Sequence, residues 1–294
     1  MTKRSFSHLL TVFTAALVAA GCADTGGGGG GGAADAGAAD ATKSDTGAGS
    51  DTTAADTGGG QSVTVKEMQE EMEKLDCTAN SFTNGPKGVT INDLVVVSQI
   101  SFKFDSKKTL NQVYVQSKGG GLWSGIQVVA ATDTVLSKLT IKIGDVISVT
   151  GDITDFYCFT QFKASKVTVK AGATELPVAV TVTADKIGSK AGIEDNEAAE
   201  SVFVSIENVV VSDAAPLGSD DKTHGDFYVG KDENDKAILV VPGFATTFSK
   251  ETSGGAYANE FKKGQVFSSI RGVLVYSFSV WRLTPVNDAG LSIK

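Results

Sequence analysis

Apolar and polar positions alternate in short runs along most of the chain, and the runs are rich in Val, Ile, Thr and Phe. Gly, Asp, Asn and Ser punctuate them. A period of two bounded by turn formers predicts strands. One set covers 88–101, 112–116, 125–130, 146–156 and 165–169. A second covers 202–212, 226–229, 237–241, 266–276 and 280–285. Thr174-Glu175-Leu176-Pro177 separates the sets, 178–183 opens the second, and the polar stretch 185–200 has room for a short helix. Only 65–75 shows the other period. Met68, Met72 and Leu75 fall at i, i+4 and i+7, with Glu67, Glu70, Glu71 and Glu73 on other faces, which predicts an amphipathic helix. Thr64 and Glu67 have the spacing of a capping box. A Met/Leu stripe of this kind is a packing face.

The two strand sets echo one another. Thr90-Ile91-Asn92-Asp93-Leu94-Val95-Val96-Val97-Ser98 is answered by Ser205-Ile206-Glu207-Asn208-Val209-Val210-Val211-Ser212, one residue shorter. Gln112-Val113-Tyr114-Val115-Gln116 is answered by Asp226-Phe227-Tyr228-Val229. Gly144-Asp145-Val146-Ile147-Ser148 is answered by Gly264-Gln265-Val266-Phe267-Ser268. Gly151 is answered by Gly272, each followed by aromatics and a polar–apolar step, Gln161-Phe162 and Arg282-Leu283. Four blocks in one order predict two copies of a five-stranded β unit, one in 61–177 and one in 178–294.

The chain before residue 61 has a different character. Lys3 and Arg4 precede an apolar run from Leu9 to Ala20, the charge and length pattern of an export signal. The run is too short to cross about 30 Å of hydrocarbon comfortably. It ends Leu17-Val18-Ala19-Ala20-Gly21-Cys22, which resembles the lipobox of bacterial lipoproteins, with Ala19 where Leu is usual. The resemblance implies cleavage after Gly21, removing 1–21, and acylation of Cys22. Several acyl chains on one residue give stable membrane anchoring. The residue after Cys22 is Ala23 and not Asp, which for a Gram-negative host implies the outer membrane or cell surface. Residues 22–60 carry the lipid and then a Gly/Ala/Asp/Thr tether without Leu, Ile, Val or an aromatic. Such a segment buries too little apolar surface to offset its chain entropy and is expected to be disordered. A Gly-rich coil of this length spans about 35 Å.

Charge and cysteine use refine the picture. The formal net charge is −8. Six tether aspartates stand against Lys43, and Lys3 and Arg4 belong to the signal, so 61–294 carries 28 acidic and 23 basic residues, or −5. A mildly acidic body argues against a general polyanion binder. With Cys22 acylated, Cys77 and Cys158 remain. In an exported protein a pair suggests a disulfide, and two separate buried thiols are the alternative.

The strand order, with Gly144-Asp145-Val146 leading to Tyr157, Gln161 and Phe162, resembles the OB-fold modules of secreted bacterial nucleases and of many surface lipoproteins. Val63-Thr64-Val65-Lys66-Glu67-Met68-Gln69 is similar to the Thr-Ile-x-Glu-Ile-Gln opening of those modules. The second copy is looser but keeps Gly272, Tyr276, Trp281, Leu283 and Pro285. The resemblance implies an all-β protein, two tandem five-stranded OB-like barrels after a short N-terminal helix. It implies no reaction, because the nuclease domain that accompanies such modules has no counterpart in the sequence. Small barrels of this type bind oligonucleotides or oligosaccharides on one face.

No catalytic constellation stands out. His8 leaves with the signal, and His224 sits in a polar loop, so no triad can be assembled. Gly-x-Ser-x-Gly, the P-loop and His-Glu-x-x-His are all missing. Asp232-Glu233-Asn234-Asp235 lacks EF-hand spacing and reads as a hairpin turn. No catalytic residue, metal ligand or cofactor is expected. The candidate ligand face lies on the first unit, where Tyr114, Trp123 and Tyr157 interleave with Lys103, Lys107 and Lys118. Aromatics among cations suit stacking on sugars or bases. The same residues would also serve as barrel core and as lysines that blunt exposed edges. The expected role is therefore a surface-tethered, non-catalytic module. Its partners are the membrane through the lipid and an envelope protein or glycan, with single-stranded nucleic acid possible and less favoured.

Overall fold

The computed structural model describes residues 63–74, 82–100, 112–131, 135–136, 139–173, 175–188, 196–218, 221–242, 247–252, 256–277 and 280–294. The signal, the tether, Cys22, Cys77, Lys103 and Lys107 lie outside the described residues.

Helix α1 (Val65–Glu73) carries the first two stripe residues, Met68 and Met72, and the third, Leu75, lies outside the described residues. The capping box is complete: the Glu67 N–H donates to Thr64 Oγ1 at 3.2 Å and the Thr64 N–H to Glu67 Oε2 at 2.8 Å. Val65, Met68 and Met72 are buried against the first barrel. The fourth buried position is polar, Gln69, and its amide donates to the Gly125 carbonyl at 2.8 Å.

The first sheet comprises β1 (Phe82–Asn84), β2 (Val89–Ile100), β3 (Gln112–Ser117), β4 (Gly125–Ala130), β5 (Asp145–Phe156) and β6 (Thr160–Ala173). Five of these close into a barrel in the order β2-β3-β4-β6-β5, with β5 returning to β2 and β1 on the rim. Only β4 and β6 run parallel. The second sheet comprises β7 (Val180–Val182), β8 (Phe203–Asp213), β9 (Phe227–Gly230), β10 (Ile238–Val240), β13 (Val266–Ser277), β14 (Val280–Pro285) and β15 (Leu291–Ile293). It closes in the same order, β8-β9-β10-β14-β13 and back to β8, with the parallel pair at β10 and β14. Between β10 and β13 lies a small hairpin of β11 (Ser249–Glu251) and β12 (Tyr257–Asn259). Helix α2 (Ala184–Ile187) and a 3-10 turn at Glu197–Ala199 fall in the polar stretch 185–200 and at its edge.

The repeated motifs occupy repeated geometry. Asp93 and Asn208 both adopt left-handed backbone, φ 58° and 53°. Asp and Asn tolerate this conformation best among residues with a side chain. At Asp93 it accompanies a bulge that bends β2 around the barrel. Gly144 and Gly264 also take positive φ, 90° and 84°, and their N–H groups donate to Val96 and Val211 carbonyls at 2.8 Å in both units. Gly151 and Gly272 stand where strands press together: a Cβ would lie 2.2 Å from the Lys163 carbonyl oxygen and 2.4 Å from that of Thr284.

Two sequence expectations need correction. Strand β6 runs over fourteen residues rather than 165–169, because it pairs along most of its length with β5 while its exposed lysines, Lys163, Lys166 and Lys170, interrupt the apolar pattern. Strand β10 is only three residues long, and β1, the β11–β12 hairpin and β15 lack a period long enough to read.

Candidate binding face

Pairing between strands puts one row of side chains across each barrel. In the first, Tyr114 of β3 pairs with Gln127 of β4, which pairs with Gln161 of β6. In the second, Tyr228 pairs with Leu239, which pairs with Arg282. The two rows are equivalent strand for strand, and they differ in chemistry and in cover.

The first row is a chain of amides. Gln127 Nε2 donates to the Tyr114 hydroxyl at 2.7 Å and more weakly to Gln112 Oε1 at 3.4 Å, while Gln127 Oε1 accepts from Gln161 Nε2 at 2.6 Å. Gln127 and Tyr114 are buried, whereas Gln112 and Gln161 are half-buried. Each outer glutamine therefore keeps one amide group, Gln112 Nε2 and Gln161 Oε1, without a partner among the described residues. No ionised side chain belongs to this row.

At one end, where β3 finishes and β4 and β6 begin, the row is roofed by the chain itself. The Trp123 N–H donates to the Ala198 carbonyl at 2.6 Å, the Phe203 N–H to Gln116 Oε1 at 3.2 Å, and the Thr160 N–H to Glu200 Oε1 at 3.0 Å. Backbone approach is close, since a Cβ on Gly125 would lie 2.2 Å from the Ser201 carbonyl oxygen. Val97, Tyr114, Cys158 and Phe159 accordingly join the second barrel's core rather than the first's. Within this junction Glu200 is 1% exposed, and its Oε2 has no partner among the described residues. Burial, then the nearby Glu197 and Asp155 carboxyls, push its carboxyl well above the ordinary range, against the Thr160 N–H and Gln69, which favour the ionised form.

The β5–β6 turn stands beside this roof. Tyr157 and Cys158 both take left-handed backbone, φ 54° and 63°. Asp155 Oδ1 accepts the Cys158 N–H at 2.7 Å, and Phe156 and Phe159 exchange backbone hydrogen bonds at 2.9 and 3.2 Å. This fixed turn holds two aromatic rings outward, Phe156 at 42% and Tyr157 at 50% exposure, in edge-to-face contact at 4.7 Å.

The structure sorts the sequence-selected residues. Tyr157 is on the surface, and Lys118 is exposed in the β3–β4 loop at the same strand end. Trp123 is half-buried and is tied to Ala198 through its backbone. Tyr114 is 2% exposed, under the edge of the Phe159 ring, and so offers no stacking surface. It lies on the opposite side of β3 from the core residues Val113 and Val115, and that side is covered here by the second unit. Cys158 is buried. Sequence reading missed Gln112, Gln127 and Gln161. The repeat already paired two of them with Asp226 and Arg282, the positions where the copies change chemistry. Among the described residues no three His, Cys, Asp or Glu side chains gather as a metal site, and no helix is long and apolar enough to cross a membrane.

Compared with known proteins, the chain matches no family and no curated sequence.

Proposed function

We propose that this chain is a non-catalytic binding protein, tethered to the bacterial envelope through a lipid on Cys22, whose first barrel holds a neutral oligosaccharide. The observation that carries this reading is the amide row. Gln112 Nε2 offers a donor and Gln161 Oε1 an acceptor, both half-buried and neutral. A fixed, exposed Tyr157 sits on the turn that leads into Gln161. Sugar hydroxyls both donate and accept, and a pyranose face packs on an aromatic ring, so this combination suits them. A nucleic-acid ligand would instead need cations along its path. Of the three lysines selected from sequence, Lys118 is exposed at this end of the barrel, and the other two lie outside the described residues.

Capture of an envelope protein is the second reading, favoured by the exposed Phe156–Tyr157 pair. In this account Cys77 is the disulfide partner of Cys158 and pins the turn.

The test is calorimetric titration of the mature chain with neutral cello-, chito- and malto-oligosaccharides. Binding should be insensitive to salt and should fall about tenfold or more in Gln161→Ala and in Tyr157→Ala. No binding at millimolar sugar by a folded protein would reject the saccharide reading and leave the protein-partner one.

A further inference from the structure

The second barrel carries the same row with charges in it. Tyr228, Leu239 and Arg282 take the places of Tyr114, Gln127 and Gln161, and Asp226 takes the place of Gln112. Tyr228 and Arg282 are half-buried, whereas Tyr114 is sealed. Lys236 holds its ammonium 5.4 Å from the centre of the Tyr228 ring and pairs with Asp213 at 2.6 Å. We propose that this row is a second saccharide site, selective for acidic sugars, in which Arg282 receives the sugar carboxylate and Tyr228 supplies the apolar wall.

The assignment follows from the substitution of Gln161 by Arg282 on one barrel floor. A planar guanidinium presents paired N–H groups matched to the two oxygens of a carboxylate, which an amide does not. Partial removal from water strengthens that pairing. Asp226 lies near Arg282 and His224, and burial pushes its carboxyl up although both neighbours lower it. An incoming carboxylate therefore meets a neighbour that can go neutral by taking a proton. Asp213 is held below the ordinary range by Lys236, so that carboxylate is already matched by a cation. A sugar carboxylate is taken over an acidic peptide because this row is the strand-for-strand counterpart of the neutral-sugar row of the first barrel.

The ligand class rests on the saccharide reading of the first barrel, and the experiment keeps the two apart. The mature chain is titrated with tetragalacturonic acid, with its methyl ester, and with an acetylated tetraglutamate peptide. The acid should bind in a salt-sensitive way, at least about tenfold more tightly than the ester. Arg282→Gln, which installs the first barrel's residue, should lose that preference about tenfold or more while leaving any neutral-sugar binding unchanged. Asp226→Asn removes a neighbouring carboxylate that competes for Arg282 and should tighten acid binding severalfold, which a purely structural role for Arg282 would not produce. Gln161→Ala should leave acid binding intact. The proposal is overturned if the folded chain ignores the acid at millimolar concentration, if Asp226→Asn weakens or does not change acid binding, or if Arg282→Gln folds and binds it as before. It is also overturned if the peptide binds as well as the sugar. Loss of neutral-sugar binding alone would reject the first-barrel reading and leave this one standing.

Discussion

Glu200 gives the most exacting test of how the two barrels are joined. It is 1% exposed, its Oε1 accepts the Thr160 N–H at 3.0 Å, and Asp155 and Glu197 are its acidic neighbours. Desolvation dominates, so the folded state holds the proton to higher pH than the unfolded chain, whose ordinary value is 4.5. A carboxyl raised on folding contributes its full stability below the unfolded value, and that contribution is lost as pH climbs toward the folded one. The slope within this window is about 1.4 kcal/mol per pH unit for one group. Glu200→Gln keeps an acceptor for Thr160 and cannot ionise. It should match the wild type within about 1 kcal/mol at pH 4, then gain on it by about 1.4 kcal/mol per unit above pH 4.5 until the wild-type carboxyl ionises in the folded state. Asp155 and Asp226 are also raised by burial and shift stability in the same direction, so the informative quantity is the difference between the two proteins. Urea unfolding followed by far-UV circular dichroism at pH 4, 5, 6 and 7 measures it. A difference that stays constant across this range would refute a protonated Glu200 at the junction. Glu200→Ala should be worse than Glu200→Gln at pH 4 by about 1–3 kcal/mol, because the Thr160 N–H loses its acceptor in a dry site.

Other expectations can be checked on the same preparation. Gly272→Ala should destabilise the second barrel by about 1–3 kcal/mol in urea, since the new Cβ meets the Thr284 carbonyl oxygen at 2.4 Å; an unchanged midpoint would contradict that close approach. Met72→Ala removes a side chain that is 3% exposed and touches Gly85, and should cost about 2–5 kcal/mol by thermal or urea melts. Non-reducing peptide mapping should recover Cys77 linked to Cys158, and two alkylatable thiols in unfolded, unreduced protein would exclude the bond. Cys22→Ser should move the expressed protein from the detergent phase to the aqueous phase on Triton X-114 partition, and unchanged partition would exclude the lipid anchor.

Local physics wrote much of the fold into the sequence. The 3.6-residue stripe of Met68 and Met72, with Thr64 and Glu67 at capping distance, marks α1 in the sequence, and packing on the first barrel holds it. The left-handed residues Asp93 and Asn208 and the paired glycines at 144/264 and 151/272 mark places where the backbone itself is demanding, and such demands restrict residue type locally. For that reason the repeat, the five-stranded units and their closure could be anticipated. Residues whose role depends on what lies across a strand or between the barrels could not. Tyr114 and Tyr228 occupy the same place in the same pattern, yet one is sealed beneath Phe159 and the 196–203 segment while the other stays half-open. The polar run at 185–200 reads as room for a short helix, and only the packing between the barrels takes Glu200 out of water. Alternation tells which side of a strand a residue takes. Whether that side meets solvent, ligand or another part of the chain is decided by long-range packing, which here left one row roofed at one end and neutral and the other half-buried and charged.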